Sequence, residues 1–174
     1  MNTPNQAGDR RNVIVPGIGA LALGRIYEDE TADYSTGPIS FTLGTEPFNN
    51  VIQIQSDAHF VCIETTYTNS LEVCAAGSTI PVFKYGGATL QVVPGNTGKP
   101  LQNVATPIRE LAGDARLPYV WPLPYLFLAN STLGSQGVGS GVGPPSMAGG
   151  EIRITYHGYK VPRGKSGIAA LDNL

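Results

Sequence analysis

The chain has 174 residues, 41% of them apolar and only 14% charged, with a formal net charge of −2. That length fits one domain with a real core. The scattered charges exclude the clustered basic face of a nucleic-acid binder, and no apolar run reaches the length of a membrane span. Glycine (22) and proline (14) make up about a fifth of the sequence. Such a density of breakers leaves little room for helices and favours short strands joined by turns. A surface this poor in charge suits burial against partners.

Residues 1–36 show no period of 2 or 3.6. The polar MNTPNQAGDRRN has no apolar leader segment and is followed by the glycine-broken VIVPGIGALALG and the acidic RIYEDETADYSTG. Ile14, Ile18, Leu21 and Leu23 have no internal pattern that would bury them. The segment therefore reads as an extended N-terminal arm that lays these side chains on a partner subunit.

From Pro38 onward strand signals are dense. PISFTLG alternates Ile39, Phe41 and Leu43 against Ser40 and Thr42, and NNVIQIQS alternates Ile52 and Ile54 against Gln53 and Gln55. AHFVCIETTYT (58–68) is β-branched and aromatic throughout, which predicts a central strand. TIPVFKYGGATLQVVPG reads as a hairpin turning at Gly86–Gly87, since paired glycines supply the φ > 0 of a primed turn. TPIRELAG (106–113) is the one plausible helical turn.

Next comes the ribbon LPYVWPLPYLFLANSTL. Pro118, Pro122 and Pro124 fix φ, bias their predecessors to extended shapes and remove ladder donors. The ribbon is either a stiff crossover sealing the core or a contact patch for another subunit. In the second case Tyr119, Trp121 and Tyr125 make the contact. GSQGVGSGVGPPSMAGG (134–150) reads as a long Gly-rich hairpin loop. In EIRITYHGYKVP, Ile152, Ile154 and Tyr156 share one face, Arg153, Thr155 and His157 the other, and Gly158 stands where a β-bulge would shift the phase. The expected organisation is an arm over 1–36, a jelly-roll-like antiparallel β-sandwich over 37–162, and a peripheral tail over 163–174. The fold class is all-β.

No catalytic pattern stands out. GVGSGVG (137–143) places glycine at every second position and lacks the spacing and helix of a dinucleotide fingerprint. GKS at 164–166 lacks the first glycine of a phosphate-binding loop, because position 159 is Tyr159. His59 and His157 have no local metal-ligand spacing and read as solvated or hydrogen-bonded strand histidines. Cys62 and Cys74 read as buried thiols. No enzyme activity, cofactor or metal is expected.

The order IQIQSDAHFVCIETTY, PLQNVATPIRELAGDARLPYVWPLPYLFLANSTL and RITYHGYKV resembles small structural proteins of tailed bacteriophages. The resemblance rests on a P-x-P segment, an F-x-x-N-S strand and a closing x-GYK strand, over residues 50–162. It implies a virion component: a capsid cement or decoration protein or, alternatively, a head–tail connector or tail accessory subunit. Its partners would be the major capsid protein and further copies of itself, with a trimer favoured. The competing class is a carbohydrate-binding sandwich, whose platform would be Tyr119, Trp121 and Tyr125.

Overall fold

The computed structural model describes residues 12–15, 19–22, 31–42, 47–69, 72–74, 81–83, 87–114, 116–140 and 149–164. The strands are β1 (Asn12–Val15), β2 (Gly19–Ala22), β3 (Thr31–Ser35), β4 (Ile39–Thr42), β5 (Pro47–Gln53), β6 (Ala58–Asn69), β7 (Glu72–Cys74) and β8 (Pro81–Phe83). There follow β9 (Gly87–Pro94), β10 (Thr106–Pro107), the single turn α1 (Ile108–Leu111), β11 (Tyr119–Phe127), β12 (Thr132–Ser140) and β13 (Gly149–Pro162).

They form a two-layer, all-β sandwich. One layer is a seven-stranded sheet in the order β2-β1-β11-β6-β13-β3, with β4 also on β13; the other is β10-β9-β12-β5, and β7-β8 stands as a separate pair. Every strand pair is antiparallel except β1 with β11. Unequal sheets and one parallel pair depart from the jelly-roll order that the sequence suggests.

The core lies between the layers. Phe48, Ile54, Leu90, Val92 and Leu133 from the smaller sheet meet Phe60, Phe127, Ile152, Ile154 and Tyr156 from the larger. The alternation read in the last strand is thereby borne out, with Ile152, Ile154 and Tyr156 buried and Arg153 exposed. Strand β6 is central, flanked by β11 and β13. Phe60 and Cys62 face the core, and Val61 between them is fully buried on the opposite side, which explains the continuous apolar run. A buried polar bridge joins the layers, Ser135 Oγ to Tyr156 OH at 2.7 Å, both groups fully buried.

Four expectations are corrected. The arm does not extend to residue 36, because β3 pairs with β13 along Thr31–Ser35 and β1 pairs antiparallel with β2 and parallel with β11. The Gly-rich hairpin loop does not begin at 134, because Gly134–Ser140 belong to β12, between β9 and β5. Strands β12 and β13 lie in different sheets, so they are not the two arms of one hairpin. The β12 glycines serve packing: a Cβ on Gly137 would stand 1.9 Å from the Thr89 carbonyl oxygen and 2.4 Å from the Phe48 ring. Among the described residues the expected β8–β9 pairing is also absent, β8 pairing with β7, and β9 with β12 and β10.

The bulge is real but sits on the other strand. His157 pairs with Glu64 and Gly158 with Cys62, so Ile63 of β6 is the extra residue. Gly158 faces it because a Cβ there would meet the Val61 carbonyl oxygen at 1.8 Å. Of the tail, Arg163 and Gly164 form a turn, with Arg163 N–H donating to the Asp57 carbonyl. Residues 165–174 and 141–148 lie outside the described residues.

Candidate functional site

The proline-stiffened ribbon is β11, and its departure from the ladder follows from its sequence. Val120 pairs with Glu64 and Tyr125 with Cys62, so Trp121, Pro122, Leu123 and Pro124 stand against Ile63 alone. Two prolines in four residues cannot donate to a ladder, and the segment bows away from β6. The bow divides its side chains into two sets.

The aromatic set turns inward. Tyr125 is part of the core, its ring 4.9 Å from Phe127, and burial pushes its phenol up to about 12. Trp121 is half-buried, packs against the core 6.4 Å from the Tyr125 ring, and donates its indole N–H to Thr65 Oγ1 at 2.7 Å. Tyr119 is half-buried. The expectation that these three residues form a subunit contact is corrected for Tyr125, which has no surface to offer. Trp121 spends its polar handle within the chain, as a sealed crossover requires.

The apolar set turns outward, and sequence reasoning missed it. Leu117 is 77% exposed, Val120 64% and Leu123 47%, with Pro122 exposed between them. The signal was present as the residues alternating with the aromatics, but large rings drew the reading to the wrong face. The ribbon's start is tied down by Asp114, whose carboxylate accepts the backbone N–H groups of Leu117 and Arg116 at 2.8 Å each. Those two bonds hold its carboxyl below the ordinary value.

Of the arm residues expected to touch a partner, Ile14 lies in β1, in register with Tyr125, and Leu21 lies in β2. Ile18 and Leu23 lie outside the described residues.

A second cluster had no local sequence signal. On the outer face of the large sheet, His157 Nδ1 lies 2.8 Å from Asp33 Oδ1, and its Nε2 lies 2.8 Å from Thr66 Oγ1. The three residues come from β13, β3 and β6. When Nδ1–H donates to Asp33, Nε2 accepts the Thr66 hydroxyl proton, which is the atom order of a nucleophile–base–acid relay. The ladder engages the backbone around Thr66, which pairs with Thr155. The cluster ties the edge strand β3 to β13. His59 is buried in β6 and is hydrogen-bonded, its Nδ1 accepting the Ala129 N–H at 3.1 Å, which is one of the two states expected for it.

Cys62 is a free, fully buried thiol whose burial pushes its ionisation far up, so it is poorly suited to nucleophilic or redox chemistry. Among the described residues no group of His, Cys, Asp and Glu is arranged to hold a metal, and no helix is long and apolar enough to cross a membrane. Comparison with protein-family models, curated proteins and solved structures returns no match.

Proposed function

We propose that the chain is a structural subunit of a tailed-bacteriophage particle, of the capsid cement or decoration kind, that binds the major capsid protein without catalysis. The observation that carries this reading is the outward strip of Leu117, Val120 and Leu123 on a ribbon stiffened by prolines. Exposed apolar groups gathered on one pre-ordered segment favour association, because little ordering entropy remains to be lost on binding. The resemblance of residues 50–162 to small virion proteins names the class of partner. The inward turn of Tyr125 and Trp121 argues against the carbohydrate-binding alternative, which needs a row of exposed rings.

The test is co-sedimentation with expanded capsids. The wild-type protein is expected to pellet with them, and Val120→Asp with Leu123→Asp to abolish pelleting while leaving the circular dichroism unchanged. Binding to isolated tails instead of capsids would move the subunit to the head–tail or tail assembly. A shift of Trp121 fluorescence with polysaccharide, and no pelleting with either, would overturn the virion reading.

A further inference from the structure

The two layers differ sharply in charge. The outer face of the large sheet carries Asp33, Glu64, Arg153 and His157. Strands β5, β9 and β12 of the smaller sheet contain no charged residue at all: PFNNVIQ, GATLQVVP and TLGSQGVGS. Strand β5 ends that sheet, and among the described residues only β12 pairs with it. It is seven residues long, with no bulge in its pairing and a proline only at its first position. Natural sheets blunt such edges with charges, inner prolines, bulges or short strands, because an open row of N–H and C=O groups templates another strand. At the other end of the sheet β10 is blunted, being two residues long and closed by Pro107.

The direction of the open groups follows from one hydrogen bond. Ile54 N–H donates to the Ser131 carbonyl at 2.9 Å, toward the β12 side. Alternation along an extended strand then turns the N–H and C=O of Asn49, Val51 and Gln53 away from β12. These same three residues have exposed side chains on the uncharged outer face.

We propose that the chain forms a two-fold dimer by antiparallel pairing of β5 with β5 of a second copy, centred on Val51. In this register Val51 exchanges both backbone bonds with its symmetry mate, and Asn49 does so with Gln53. Val51, 57% exposed in the single chain, gains an apolar cross-strand partner. The Asn49 amide carries donors and an acceptor, and Gln53, whose Nε2 donates to the Ser131 carbonyl at 3.1 Å, keeps its Oε1 to accept from the Asn49 amide of the second copy, so identical faces match. A charged partner would find no counter-charge on this sheet. Pro47, which lacks an N–H, falls at the end of the paired stretch and limits it. This contact is two-fold, in place of the trimer that the sequence suggests, and it does not depend on the virion reading.

Three measurements test it. Light scattering after gel filtration should give twice the 18.3 kDa chain mass. Val51→Pro removes only an outward N–H, which an edge strand tolerates, and should halve the mass without changing the circular dichroism. Val51→Lys, which sets two like charges on the axis, should do the same. Hydrogen exchange of the wild-type Val51 amide should slow as protein concentration rises, and this readout stands even where a variant does not fold. A monomer or trimer at all concentrations, an unchanged mass for folded Val51→Pro, or Val51 protection independent of concentration would each overturn the proposal.

Discussion

Trp121 is held at two points, by ring packing beside Tyr125 and by its N–H on Thr65. Trp121→Phe keeps most of the packing and loses the hydrogen bond, so it should cost about 1 kcal/mol. Trp121→Ala should cost roughly 2–3 kcal/mol, below the range for a fully buried tryptophan because the ring is half-buried. Urea unfolding of both variants measures this, and equal costs would show that packing contributes little. Tyr125 and Tyr156 supply a pH-dependent counterpart. Burial raises both phenols above the ordinary value of 10.0, Tyr125 to about 12. A folded-state value above the unfolded one means that the stabilisation is fully present below pH 10 and is lost as pH climbs toward 12. Alkaline titration followed at once by phenolate absorbance and circular dichroism should show ionisation of these rings only with unfolding. Tyr156→Phe should remove part of that sensitivity but cost about 1–3 kcal/mol, because it leaves the buried Ser135 hydroxyl without its partner. None of these pairings was legible in the sequence. Thr65 with Trp121, Ser135 with Tyr156, and Thr66 and Asp33 with His157 are all brought together by strand register, and no local pattern records register between distant strands.

At the scale of elements, strands could be read where one face is dry and the other wet. Strand β13 alternates in sequence and in burial alike, and Ile154→Ala should accordingly cost about 2–5 kcal/mol against almost nothing for Arg153→Ala. Equal thermal shifts for the two would contradict the facing of the strand. Strand β12 was misread because its glycines look like linker, although in β12 they let Phe48 and Thr89 close on the backbone. Gly137→Ala should therefore destabilise by about 1–3 kcal/mol through overpacking. Gly134→Ala, whose added carbon would lie 3.1 Å from the Val93 carbonyl oxygen, should be milder. Strand partners were the least legible feature. Period 2 says which side chains share a face, but not which neighbour lies alongside. The pairing of β8 with β7, and the placing of β12 and β13 in opposite layers, follow from packing the whole chain.

For the molecule as a whole, composition correctly indicated a sandwich with scarcely any helix, and the surface follows from how the sandwich is divided. Charge is gathered on the large sheet, while the smaller sheet and the outward ribbon are left neutral. The central sheet also imposes an order in time. Strand β6 is bonded along nearly its whole length to β13, and the hydrogen bond from Thr66 to His157 spans 91 residues. Until the ribosome has released the last strand, β6 has an open flank, and β3 and β4 lack the strand that pairs with them among the described residues. Folding must therefore wait for synthesis to pass residue 162, and the long loop to be closed makes it slow for a chain of this size. A nascent chain stalled before β13 should remain sensitive to protease throughout and bind a chaperone, whereas one carried on a C-terminal linker long enough to bring Pro162 clear of the ribosome should become resistant in a single step.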